Sequence, residues 1–201
     1  VAPGKLITIE GIDGAGKTTL ATELAQALDA QLLREPGGVE LSERIRALVK
    51  DPALQVSAPA EALLYAAARA QLVHERLRPL LAAGTTVLLD RFVDSSLAYQ
   101  GAARGLGVEQ VARVNELATG GLVPDRTLLL RIDPATGRAR QGERALAPDR
   151  LEREDDQFFA AIAAAYEQLA QREPQRIVVL DATQPAKEVL RAALAAVADL
   201  F

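Results

Sequence analysis

Gly11-Ile12-Asp13-Gly14-Ala15-Gly16-Lys17-Thr18, followed by Thr19, lies between an apolar run at 6–9 and a helix-like run at 17–28. The spacing is G-x-x-x-x-G-K-[ST], and a strand feeding such a loop into a helix presents successive backbone N–H groups to an anion. The glycines let the backbone come close to that anion. In this arrangement the loop from Gly11 to Thr19 cradles the phosphates of a nucleoside triphosphate, Lys17 reaches the β- and γ-phosphates, and the Thr18 hydroxyl ligates Mg2+. The competing reading is a glycine-rich turn with a chance lysine; strand, loop and helix in the right order argue against it.

Working outward, β-branched and apolar runs at 31–33, 86–89, 127–132 and 177–180 join the run at 6–9. They alternate with helix-like segments at 17–28, 41–49, 59–83, 95–99 and beyond, 108–119, 151–172 and 185–200. Such alternation predicts an α/β domain, a five-stranded parallel sheet covered by helices. The 201 residues suit a single domain. Residues 134–148 are the least regular long segment, with Arg138, Arg140 and Arg144 spread along it, and read as a mobile cover.

Composition removes whole classes of chemistry. There is no cysteine, so disulfides, thiolate metal sites and cysteine nucleophiles are absent, and the lone His74 leaves no imidazole pair for zinc. His74 itself reads as a packing or surface residue. A net charge of −4 argues against a general nucleic-acid surface. No apolar stretch approaches the length of a membrane span, and the first strand begins too early for a leader to precede it, so the expectation is a cytoplasmic protein with no membrane partner.

Asp90-Arg91 follows the strand at 86–89, on the carboxyl edge where open α/β sheets bind ligands. Asp90 can hold Mg2+ through water, and Arg91 can grip a second phosphate bidentately. An ordinary surface ion pair is the plainer alternative. Tyr65 and Arg69 lie four residues apart on one helix face, where a ring can stack on a flat ligand while the guanidinium bonds its exocyclic oxygen. An intrahelical cation–π pair in the core fits the spacing equally well. Tyr99, within Ser95-Ser96-Leu97-Ala98-Tyr99-Gln100-Gly101, offers polar groups near Asp90-Arg91; the alternative is a helix start capped by serine.

Six segments then share one order and spacing: Glu10 to Thr19, Arg34-Glu35-Pro36-Gly37-Gly38, Leu64-Tyr65-Ala66-Ala67-Ala68-Arg69, Asp90-Arg91-Phe92, Ala98-Tyr99-Gln100-Gly101 and Asp149-Arg150-Leu151-Glu152. Over nearly the whole chain this resembles the bacterial thymidylate kinases. The resemblance implies a three-layer P-loop NTPase fold with a short lid at about 134–150, a homodimer, and transfer of the γ-phosphoryl of Mg·ATP to dTMP. It places Tyr65 against thymine, Arg69 on its O4, and Ser95 and Ser96 near the base edge. It puts Arg91 on the acceptor phosphate, Tyr99 against the sugar 2′ position, and Asp13 close to acceptor sugar and phosphate. Glu35, Arg46 and Gln100 fall in segments that organise the acceptor site. Gly14 stands where some members carry a loop arginine, so the resemblance is to members whose catalytic arginines come from the lid: Arg138, Arg140 and Arg144. Gln141-Gly142-Glu143 interrupts the usual alternation of arginines there, and solvated loop charges are the alternative.

The rival functions are a kinase for another monophosphate or for a deoxynucleoside, the latter needing Glu10 or Glu35 as a base, and a nucleotide-dependent switch. No Asn-Lys-x-Asp guanine-reading run is present.

Overall fold

A computed structural model describes residues 2–142 and 148–201. The strands are β1 (Leu6–Glu10), β2 (Gln31–Arg34), β3 (Val87–Asp90), β4 (Arg126–Arg131) and β5 (Ile177–Asp181), in the parallel order β2-β3-β1-β4-β5. β1 is central and wholly buried, and its residues alternate between two cores. Ile7, Ile9 and Leu88 face a large cluster closed by Leu24 of α1 (Lys17–Ala27), and Leu6, Val87 and Leu89 face a second one. Burial on both faces is what a parallel strand requires, and each such side chain contributes roughly 1.5–3 kcal/mol. The consequence for function is a rigid carboxyl edge carrying Glu10, Asp90 and the loop after β1.

Two helices beside β2 form one wall of that edge: α2 (Glu40–Lys50) and α3 (Ala58–Leu72). The helix expected at 59–83 is one continuous rod, yet it passes through a π-helical turn at Val73–Leu77 before α4 (Arg78–Ala82). Pro79 has no N–H to return to the preceding turn, and the wider turn takes up that break. His74 is exposed on it. After β3 comes α5 (Val93–Ser96), continuing as a π-helical stretch at Leu97–Ala103, then α6 (Val108–Thr119). The helix thus starts before Ser95, which is buried and does not cap it.

Two further expectations are corrected. Residues 134–142 are not irregular: they form α7 (Pro134–Gly142), started by Asp133, whose Oδ2 accepts from the Thr136 N–H at 3.0 Å, with Pro at the first helical position. Nor do they float. Gly137 is buried against the first loop, where a Cβ would lie 2.8 Å from the Asp13 carbonyl oxygen. The long helix expected from 151 begins later, as α8 (Asp156–Arg172), capped by Asp155, which accepts from the Phe158 N–H at 2.9 Å. Asp149 holds the preceding turn by accepting from the N–H groups of Leu151 and Glu152 at 2.9 and 3.1 Å. The chain closes with α9 (Ala186–Val197) and a short 3-10 turn. Among the described residues no helix is long and apolar enough to cross a membrane.

Candidate functional site

Two cavities of similar size, about 250 and 240 Å3, open on the two sides of the loop after β1. The loop itself has the shape its glycines permit. Gly16 is left-handed (φ 91) and caps α1, and Gly14 (φ 81) meets the Gly137 carbonyl so closely that a Cβ would fall inside it. The arginine that some members carry at this position has no room in this arrangement. Lys17 folds over the loop, its Nζ donating to the Ile12 carbonyl at 2.8 Å. Burial and the neighbouring Arg91 charge push the Lys17 amine down to about 8, against the opposing pull of Asp13.

The larger cavity gathers most of the residues singled out in the sequence. Asp13, Gly14, Gly16, Lys17, Thr18 and Asp90 line its floor, Glu35, Arg46, Tyr65 and Arg69 one wall, and Arg91, Ser95, Ser96, Tyr99 and Gln100 the other. Six of its lining groups are cationic and five are carboxylates, a local excess of positive charge on an acidic chain that suits an anionic ligand.

Arg91 is held most deliberately. Its backbone is left-handed (φ 70), strained for a side chain of this size, and such strain is stored where the chain must aim a group. Its guanidinium donates to Asp13 Oδ1 at 2.6 Å, Ser95 Oγ at 3.1 Å and the Tyr99 hydroxyl at 3.2 Å, and it lies 5.1 Å over the Tyr99 ring. Asp13 Oδ1 is also 3.7 Å from Lys17 Nζ, so one carboxylate oxygen sits between two cations. Burial pushes that carboxyl up, but the Arg91 and Lys17 charges more than offset it and hold Asp13 well below the usual range.

Behind Arg91 stands a residue whose structural part the sequence did not reveal. Glu10 is fully buried and accepts from the Phe92 N–H at 2.8 Å, the Ser95 N–H and hydroxyl at 3.2 and 2.5 Å, and the Tyr166 hydroxyl at 2.8 Å. It fixes the turn that carries Arg91. With both oxygens engaged, it is no base for a nucleoside acceptor.

Arg69 reaches the cavity but is not free. Nε and Nη2 both meet Glu35 Oε2 at 2.7 Å, Nη2 donates to the Phe92 carbonyl at 2.9 Å, and Nη1 donates to Ser96 Oγ at 2.9 Å and to Asn115 Oδ1. Its cation–π partner is the Phe92 ring at 5.4 Å, not Tyr65 as the intrahelical alternative required. Among the described residues Glu35 Oε1 is buried without a partner, and burial pushes the Glu35 carboxyl up to about 7 against the pull of Arg69. Arg46, from α2, lies on this wall, donating to the Pro36 carbonyl at 3.0 Å.

The lid arginines separate. Arg138 pairs with Asp156 and lies 5.2 Å over the Phe159 ring, lining neither cavity. Arg140 lines the smaller cavity and donates to the Ala182 carbonyl at 3.0 Å. Arg144 lies outside the described residues. The smaller cavity also takes Ala15 and Thr19 from the loop and is otherwise largely apolar, with Leu130, Ala182 and Val189. Sequence reasoning missed these last three, since nothing in an alanine, leucine or valine signals a ligand.

For a metal, Thr18 Oγ1 and Asp90 Oδ2 lie 3.5 Å apart, and Asp90 Oδ1 is buried with no partner among the described residues. No group of three or more potential acidic, histidine or cysteine ligands occurs among the described residues. The pair suits a hard cation that brings phosphate oxygens and water as its other ligands.

A phosphate loop at the edge of a parallel sheet, with an arginine aimed beside its lysine and cavities on both sides, defines a P-loop phosphotransferase that handles two ligands. Comparison with known proteins narrows the class. The family model "Thymidylate kinase" matches residues 9–193. Curated relatives named thymidylate kinase include one from Deinococcus radiodurans, 47% identical over 204 residues covering 99% of this chain and 98% of its own. Another, from Lactobacillus delbrueckii, is 46% identical and covers 98% and 97%. The crystal structure of the Ehrlichia chaffeensis thymidylate kinase is similar with a TM-score of 0.81 at 27% identity, covering 98% of this chain and all of that one. The chain belongs to the thymidylate kinase family.

Proposed function

We propose that the two cavities are the donor and acceptor sites of a reaction that transfers the γ-phosphoryl of Mg·ATP to dTMP, giving dTDP and ADP. The observation that carries this reading is Arg91: a strained residue aims a second cation to within reach of the Asp13 oxygen that also neighbours Lys17, so two phosphate positions adjoin across the loop. Lys17 binds the donor phosphates and Arg91 the acceptor phosphate. Asp13 keeps Arg91 oriented and separates the two cations until the ligands arrive.

An acceptor phosphate oxygen is already anionic near neutral pH, so alignment and charge neutralisation suffice and no strong base is required. The inventory of the cavity agrees, because the two carboxylates nearest its arginines, Asp13 and Glu35, are ion-paired with Arg91 and Arg69. Thr18 and Asp90 would hold Mg2+, which supplies charge neutralisation at the β- and γ-phosphates when bound. On the acceptor side the Tyr65 ring offers a stacking face, Arg69 and Gln100 a polar base edge, and the neutral Tyr99 hydroxyl crowds the sugar. On the donor side Arg140 and the apolar wall take the adenosine moiety. Both nucleotides belong to the cytoplasmic pool, where we place the enzyme.

Self-association is supported by the neighbouring helices α2, α3 and α6, which expose Leu41, Leu48, Leu63 and Leu117, the last at 87%. A second copy of this chain would cover them.

The test is ADP release from Mg·ATP with dTMP, dUMP, the thymine ribonucleotide, dCMP, AMP, GMP and thymidine offered singly. Fast turnover with dTMP and much slower turnover with the ribonucleotide supports the reading. Preference for another acceptor rejects the acceptor site, and no stimulation by any of them favours a nucleotide-dependent binding protein.

A further inference from the structure

Glu61 lies in the first turn of α3, fully buried, on the same face as Tyr65 and Arg69 one and two turns on. Three side chains from two segments distant in sequence converge on it. Arg150, from the turn before α8, donates to Oε2 at 2.6 Å; Arg104, from the end of the π-helical stretch, donates to Oε1 and Oε2 at 3.3 and 3.2 Å. Gln100 Nε2 donates to Oε1 at 2.9 Å.

The chemistry of this knot has a directional consequence. A carboxylate between two guanidinium groups can only accept, so the edge of the Gln100 amide facing it must be the NH2. Gln100 is buried at 2% exposure and lines the acceptor cavity, and among the described residues no donor is bonded to its Oε1. The amide is thereby held in one of its two orientations, with the acceptor oxygen left for a ligand. A thymine or uracil presents an N3–H donor on its Watson–Crick edge; cytosine presents an N3 acceptor at the same place.

We infer that Glu61 is a positioning residue for base specificity: by fixing the Gln100 amide it makes the acceptor site accept from an N3–H and reject a cytosine edge. The inference rests on the acceptor-site reading above. The amide would face the base with an acceptor, and a cytosine edge would leave both partners unsatisfied, which is how a polar site discriminates strongly.

The experiment compares kcat/KM for dTMP, dUMP and dCMP, with Mg·ATP, in the wild type and three variants. Glu61→Gln keeps an oxygen for the arginines and offers an NH2 to Gln100, so the Gln100 amide is free to turn over. The expected result is a rise of about tenfold or more in dCMP relative to dTMP, with dUMP and dTMP moving together. Glu61→Asp keeps an acceptor-only group and is expected to preserve the wild-type ratios even if all three rates fall.

An equal loss on all three substrates in Glu61→Gln, or a ratio that shifts as much in Glu61→Asp, overturns the inference and leaves Glu61 a structural anchor. If Gln100→Leu leaves the wild-type dTMP to dCMP ratio unchanged, Gln100 does not meet the base. The acceptor-site reading then fails at that residue, and this inference with it.

Discussion

The two cavities flanking the phosphate loop are nearly equal in volume and opposite in construction. The larger is walled by charged side chains that bond to one another from α3, β3 and the stretch after it, so its polar groups are fixed before any ligand arrives. The smaller is apolar apart from Arg140, Gln184, Glu23 and the loop. Fixed polar groups discriminate because a wrong ligand leaves them unpaired, whereas an apolar wall gains little from one base over another. With the cavities assigned as proposed, the enzyme is built to choose its acceptor and to tolerate its donor.

The largest expected effect joins the two sides. Lys17→Ala removes the charge next to Gly16, the residue that lines both cavities, and should lower kcat on the order of a thousandfold, measured by single-turnover phosphoryl transfer. Arg91→Ala should separate them: kcat/KM for dTMP falls roughly a hundred- to a thousandfold while KM for ATP moves less than about threefold. Equal losses for both substrates would mean that the cavities are not independent.

Stability sharpens the contrast within the acceptor wall. Arg69→Ala strands the buried Glu35 carboxyl together with the Asn115 and Phe92 oxygens, and should cost about 3–5 kcal/mol in urea unfolding. On the donor side, Arg140→Ala should raise KM for ATP about tenfold and leave KM for dTMP unchanged, because it removes one charge-assisted contact.

The smallest effect concerns the turn behind the donor cavity. Hydrogen bonds from Thr183 and Gln184 hold the Asp181 carboxyl down to about 2. A depressed carboxylate contributes stability above its unfolded value near 4 and loses it as pH falls through about 2. Thermal melts of wild type and Asp181→Asn should differ near neutral pH and converge below that window.

Legibility in the sequence followed the same division. The loop after β1 was readable because glycine and lysine spacing is the mechanism itself, and the five strands because parallel sheets bury continuous apolar runs. That Arg91 and Tyr99 would line the larger cavity was readable through their chemistry and their order along the chain. The apolar wall of the smaller cavity was not, since Leu130 and Val189 look like any core residue. α7 was missed although Asp133-Pro134 with Thr136 is a helix-start signal, because the arginines and glycines around it read as a loop. The structural parts of Glu10, Glu61 and Asn115 were invisible for another reason: a buried polar group is defined by partners from distant segments, and only folding brings those together.

One assay tests the asymmetry directly: kcat/KM measured twice, once with ATP fixed and the acceptor base varied through dTMP, dCMP, dAMP and dGMP, once with dTMP fixed and the donor varied through ATP, GTP, CTP and UTP. The account predicts at least about a hundredfold spread among acceptors and less than about tenfold among donors. A donor spread equal to or wider than the acceptor spread would contradict it.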